Sequence, residues 1–172
     1  MSFSRRRVLM AGLLAVPAAS WPRSPRARPA AGVKRIALVN LLSGEELEVE
    51  YRRDEAYLTD ALAAIESLLR DFHSGERHAI DPKLMDYLVD AAAKAGAEAS
   101  FNVLSGYRPA PGGGGSRPSL HMQGRAIDVR MRNVDCAKLA ASARELRQGG
   151  VGYYRGSNFV HLDTGAFRTW RG

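Results

Sequence analysis

A chain of 172 residues, 45% apolar and 25% charged, is long enough for one domain with its own core, and its composition is neither that of a disordered chain nor that of a polytopic membrane protein. The formal charge of +7 would point to nucleic acid, but residues 1–35 hold eight basic residues and no acid, which leaves 17 basic against 18 acidic residues in the remainder, a net of −1. A body so nearly neutral excludes an extended phosphate-binding surface, and the single Cys136 excludes an intrachain disulfide framework and any cysteine-rich zinc finger.

The chain opens on an export leader. Met1–Ala19 has a basic start, a 12-residue apolar stretch from Val8 to Ala19 that contains Pro17, and small residues after it. A membrane-spanning helix needs about 17–25 residues, so no stable membrane span is expected. The run Ser4-Arg5-Arg6-Arg7-Val8-Leu9-Met10 is similar to the twin-arginine export consensus, with an Arg-rich general secretory signal as the alternative. Trp21–Gly32 is rich in Pro, Arg and Ala and reads as a linker. Residues 1–31 are therefore expected to be signal and linker, and 32–172 the working domain. The expected location is the periplasm, with the twin-arginine translocase as partner during export.

Within the body, Ile36–Leu42 and Glu46–Arg52 flank Ser43-Gly44 and predict a β-hairpin. Asp54 is placed to cap a helix whose apolar residues Leu58, Ala61, Leu62, Ile65, Leu68, Leu69 and Phe72 keep a helical period. Asp81-Pro82 is a cap followed by proline at the first helical position, where the missing N–H costs nothing. Leu84, Leu88, Ala91, Ala92 and Ala95 continue that helix until Gly96. Strands are expected over 99–104 and 126–131, separated by a loop with four consecutive glycines, Gly112–Gly115. A short Ala-rich helix over 134–147 and strands over 151–154 and 159–163 complete an α+β domain.

Chemistry concentrates in two segments, Ser119 to Asp128 and Phe159 to Asp163. His121, Asp128 and His161 supply two imidazoles and one carboxylate, a set that leaves a fourth tetrahedral position open, as in catalytic and not structural zinc sites. Gly124 lets the backbone turn between the first two. Nucleic acid has no place in this reading.

The pattern Ser-x-His-x-x-Gly-x-Ala-x-Asp from Ser119, with His161-x-Asp163 downstream, resembles the zinc peptidases of the LAS group, and within them the DUF882, peptidase M15-like murein endopeptidases. Arg70-Asp71-Phe72, Ile80-Asp81-Pro82-Lys83-Leu84, Ser105-Gly106-Tyr107-Arg108, Gly150 to Tyr154, Ser157 to Gly165, Arg168 and Trp170 fit the family in order, over about residues 36–172. The resemblance implies a Hedgehog/D-Ala-D-Ala-peptidase-like fold, an antiparallel sheet with flanking helices. It implies His121, Asp128 and His161 as ligands of Zn2+, and peptidoglycan stems or cross-links as substrate. A D,D-carboxypeptidase of the same fold and a non-hydrolytic peptidoglycan-binding module are the alternatives. The chain departs from the family after Arg108, where the Pro/Gly run Pro109–Pro118 replaces a Thr-Asn pair and a Leu, so substrate selectivity is expected to differ there.

Related peptidases often carry an acid or a histidine two or three residues before the second zinc histidine. Here those positions are Phe159 and Asn158, and neither can act as a base. A strand over 159–163 puts Asp163 on the face of His161. Asp163 is then the candidate general base, with orientation of a ligand histidine as its other reading. Arg108 is the candidate for binding a substrate carboxylate or the developing oxyanion. Ser119 is assigned to the loop before His121 and not to nucleophilic attack. His73 and His78 are expected to be solvated, Tyr153, Tyr154 and Trp170 to pack or to line a groove, and Cys136 to be a small buried filler.

Overall fold

A computed structural model describes residues 32–110 and 119–172. The expected leader and most of the Pro/Gly run lie outside the described residues. Among the described residues no helix is long and apolar enough to cross a membrane.

The hairpin forms as the sequence predicts: β1 (Val33–Asn40) pairs antiparallel with β2 (Glu46–Arg53). Its turn is held by Asn40, whose Oδ1 accepts from the backbone N–H groups of Leu42 and Ser43 at 2.9 and 3.2 Å while its Nδ2 donates to Leu68 O at 2.9 Å. A two-residue strand, β3 (Ala56–Tyr57), too short to show a hydrophobic period in the sequence, pairs with β2. It displaces the predicted cap: Asp54 sits in the β2–β3 turn at φ +53, and α1 (Thr59–Leu68) starts only after Leu58. The competing attraction is tertiary, since Tyr57 and Tyr51 both donate their hydroxyls to Asp86, at 2.6 and 3.0 Å. The helical period also outruns the helix, leaving Phe72 exposed.

α2 (Pro82–Lys94) begins as expected, with the Asp81 carboxylate accepting from Lys83 N at 3.0 Å. Its buried face of Leu84, Met85, Leu88, Ala91 and Ala92 packs on α3 (Cys136–Leu146) and on the sheet. Burying each such leucine contributes roughly 1.5–3 kcal/mol. The remaining strands are β4 (Ser100–Ser105), β5 (Ala126–Met131), β6 (Gly150–Tyr154), β7 (Phe159–Asp163) and β8 (Arg168–Arg171).

Among the described residues eight strands join one sheet in the order β3-β2-β1-β4-β5-β7-β6-β8. The expected antiparallel sheet is corrected to a mixed one, because β1 pairs parallel with β4 and β6 parallel with β8. The first parallel pair follows from the long helical crossover through α1 and α2, which returns the chain beside β1 in the same direction. The second involves β8, a four-residue edge strand that hydrophobic alternation does not reveal, as three of its residues are exposed.

β5 and β7 lie side by side at the sheet's centre, with Asp128 opposite His161. Ile127, Val129, Val160 and Leu162 enter the core shared with the helices. The period of two then turns Asp128, His161 and Asp163 to the opposite face. β4 ends beside them, with Ser105 opposite Asp128. The segments on either side of the Pro/Gly run therefore flank the same point.

Candidate metal centre

His121 is delivered by a short 3-10 helix, Leu120–Gln123, immediately before β5. Ser119 Oγ accepts from His121 N at 3.3 Å, which is the loop-stabilising role expected of it. Gly124 ends the turn at φ +63, and a Cβ there would collide with Ala79 O, so conformation and space both require glycine. The imidazole is buried, and its Nδ1 lies 2.7 Å from Gly106 O. A carbonyl only accepts, so Nδ1 carries the ring proton and Nε2 presents a lone pair.

His161 is oriented by the same logic from the other side. Its Nε2 lies 3.0 Å from Asp163 Oδ2, an acceptor, which assigns the proton to Nε2 and the lone pair to Nδ1. His121 Nε2 and His161 Nδ1 are 3.2 Å apart, and Asp128 Oδ1 is 3.4 Å from the first and 2.9 Å from the second. Three lone-pair atoms thus converge with no donor among them, an arrangement that only a shared proton or a cation relieves. A tetrahedral ion with bonds of about 2.0–2.1 Å would space its ligands by roughly 3.3 Å, so the donor set fits zinc in both chemistry and spacing. Gly106 O and Asp163 would then be the outer partners that fix the tautomer and orientation of each ring.

With no ion bound, a proton on the cluster takes its place. Burial pushes the Asp128 carboxyl up, but hydrogen bonds to His121 and His161 outweigh it and hold the group well below the usual carboxylate range. Burial pushes His161 down, yet Asp128 and Asp163 prevail and raise it above the ordinary imidazole value. Asp163 is likewise held well below the usual range: burial opposes, while His161, Arg168 and the Gly165 N–H favour the charged form.

All five residues singled out from the sequence are brought together, though in different settings. Arg108 forms an ion pair with Asp128 Oδ2 at 3.7 Å while its side chain stays 51% exposed, so the guanidinium sits at the solvent side of the centre. Asp163 has no exposed surface. Its Oδ1 accepts from Gly150 N, Gly165 N and Arg168 Nη1 at 3.2, 2.8 and 3.0 Å, and its Oδ2 from His161 Nε2 and Arg168 Nη2 at 3.0 and 2.7 Å. Five hydrogen bonds saturate this carboxylate, a setting unlike that expected of a proton acceptor. The roles of Arg168 and of Gly106 O carry no signal in the sequence, since one depends on a cross-strand neighbour and the other on a backbone carbonyl. His73 and His78 are exposed, as expected, and the His78 ring stacks on Tyr107 with centroids 4.8 Å apart. Cys136 is buried, as expected of a filler, with Sγ 3.3 Å from Asn158 O.

In an α+β domain, two imidazoles and a carboxylate thus converge on one face of the sheet, each ring held from behind and an arginine beside them, as a group that could hold a single metal ion. The comparisons give the family. The model for the family described as peptidoglycan L,D-endopeptidase MepK matches residues 28–170, and the chain belongs to that family. Among its curated relatives, a probable peptidoglycan L,D-endopeptidase MepK of Haemophilus influenzae is 34% identical over 179 residues, covering 98% of this chain and 96% of the relative. The peptidoglycan L,D-endopeptidase MepK of Escherichia coli K12 is 33% identical over 176 residues, covering 97% of each. No solved structure matches.

Proposed function

We propose that the protein is an exported, zinc-dependent endopeptidase that cuts peptide bonds in peptidoglycan, of the L,D type named for its relatives. The observation that carries the reading is the convergence of His121 Nε2, Asp128 Oδ1 and His161 Nδ1 within 3.4 Å of one another, both rings being oriented by acceptors behind them. When bound, zinc supplies Lewis-acid polarisation of a carbonyl and makes water acidic near pH 7.

The chain's own residues do the rest. Gly106 O and Asp163 keep a lone pair of each imidazole aimed inward. Asp163 serves as the orienting carboxylate and not as the base, because neither oxygen is free to take a proton and no solvent reaches it. Arg108 offers a half-exposed fork on the Asp128 side of the centre, suited to the free carboxylates of stem peptides or to the oxygen on which charge develops. Arg108 and Ser119, which precede and follow the Pro109–Pro118 run in the sequence, both lie near the centre, and on this reading the run's composition bears on substrate choice.

The fold is read as Hedgehog/D-Ala-D-Ala-peptidase-like, with residues 1–31 as signal and linker, 32–172 as the catalytic domain, and the periplasm as the working compartment. The basic start and apolar stretch of residues 1–19 support the leader, and the Arg5-Arg6 register supports the twin-arginine route. The test is digestion of purified muropeptides by the mature protein, with and without chelator. New amines at L,D bonds that vanish with chelator and return with zinc are expected. Release of terminal D-Ala alone would indicate a carboxypeptidase, and retention on sacculi without products a binding module.

A further inference from the structure

Two rows of side chains cross β8, β6 and β7 on the face that carries the centre. The register pairs Arg168 with Gly150 and Gly150 with Asp163, and likewise Trp170 with Gly152 and Gly152 with His161. Neighbouring strands lie about 4.8 Å apart, so β8 is roughly 10 Å from β7, and side chains on them would ordinarily be separated by those of β6. Here the middle strand offers only hydrogens. A Cβ on Gly150 would collide with Asp163 Oδ2 and Arg168 Nη1, and one on Gly152 with the Trp170 indole. The two glycines open a lane across β6, and the edge strand reaches the centre through it.

What reaches across is well braced. Arg168 grips both oxygens of Asp163, at 3.0 and 2.7 Å, and its Nη1 also donates to Ala166 O at 3.2 Å. Its guanidinium lies over the Trp170 ring, 5.0 Å from the centroid. Trp170 Nε1 donates to Tyr154 Oη at 3.0 Å, and the indole sits 5.2 Å from the His161 ring. A bidentate fork fixes the carboxylate plane as well as its charge. With that plane fixed, a lone pair of Oδ2 is aimed at His161 Nε2, and Asp163 remains an ionised acceptor despite its burial.

We propose that β8 is a positioning strand for the metal centre: Arg168, acting through Asp163, and Trp170, packing beside the ring, hold His161 in its ligating tautomer and orientation. The inference rests on His161 being a metal ligand. It is tested with Arg168→Gln, Arg168→Lys and Gly152→Ala in the mature protein. Zinc affinity is measured by competition with a chromogenic chelator, and the ring tautomer of His161 by nitrogen-15 NMR on metal-free protein.

Arg168→Gln is expected to weaken zinc binding about 10–100-fold and to move the ring proton partly from Nε2 to Nδ1. Arg168→Lys keeps the charge without the fork and is expected to recover part of both. Gly152→Ala, which displaces Trp170 and leaves Asp163 gripped, is expected to weaken zinc severalfold with the tautomer retained. Should Arg168→Gln not fold, the other two variants carry the decision. Unchanged zinc affinity and an unchanged tautomer, with only a lower Tm, would overturn the positioning role. A wild-type protein that binds no zinc would sink the underlying metal reading instead, while the tautomer in the metal-free variants still decides what Arg168 does.

Discussion

Replacing Asp163 with Asn removes one charge at nearly constant volume, and the structure dictates its consequences. An amide keeps one acceptor oxygen and turns the other position into a donor. If the oxygen faces Gly150 N and Gly165 N, the NH2 meets His161 Nε2–H and Arg168 Nη2; in the flipped orientation it meets the two backbone N–H groups and Arg168 Nη1. Either way donors oppose donors. The first orientation releases the His161 tautomer, so zinc affinity is expected to fall about 10–100-fold, or roughly 1.4–2.7 kcal/mol. Stability is expected to drop by about 1–3 kcal/mol, the cost of a few unmade buried hydrogen bonds. The larger penalty of about 3–5 kcal/mol for a broken buried ion pair does not apply, since Arg168 is 47% exposed and can be rehydrated. The assay pairs chelator competition for zinc with turnover of a defined muropeptide at saturating zinc. Turnover near wild type at full occupancy is expected. Unchanged zinc affinity with turnover lowered by roughly 100-fold or more would refute the orienting role and make Asp163 the base.

His121→Ala and Asp128→Ala should each abolish stoichiometric zinc retention and hydrolysis together, measured by elemental analysis and muropeptide digestion; a variant that keeps both would show the ligand set to be wrong. Changing Arg5 and Arg6 together to Lys should leave the protein in the cytoplasm in a fractionation experiment, since the twin-arginine receptor reads the pair and not its charge, and normal export would disprove the route. In the metal-free protein, Asp128 and Asp163 have depressed folded-state values, so their contribution is present above the unfolded carboxylate value of about 3.9 and is lost as pH falls through the folded values. His161 has a raised value, so its contribution is full below about 6.5 and disappears as pH rises through the folded value. Urea unfolding in chelator should therefore show a stability maximum between about pH 4 and 6.5 from this cluster, with zinc giving its largest added protection at neutral pH and above. A metal-free protein more stable at pH 8 than at pH 5.5 would contradict the assignment.

Much of this protein is legible in its residues because the forces involved are local. Helical spacing and the Asp81-Pro82 start define α2, the Ser43-Gly44 turn defines the β1–β2 hairpin, and alternation places β7 at its observed bounds. The three converging side chains are legible for a different reason: a histidine near an aspartate is common by itself, but the order of the motifs along the chain carries a resemblance that the family match bears out. What only the tertiary structure decided depends on contacts between residues distant in sequence. The pull of Asp86 on Tyr57 turns the expected helix start into β3, and the parallel pairings of β1 with β4 and β6 with β8 make the sheet mixed. Likewise, alternation puts Asp163 beside His161 but says nothing about which groups fill its oxygens. That depends on Arg168 crossing Gly150 from a strand whose exposed residues carry no hydrophobic period, and a period of two specifies the face a side chain takes, never the neighbour that meets it there.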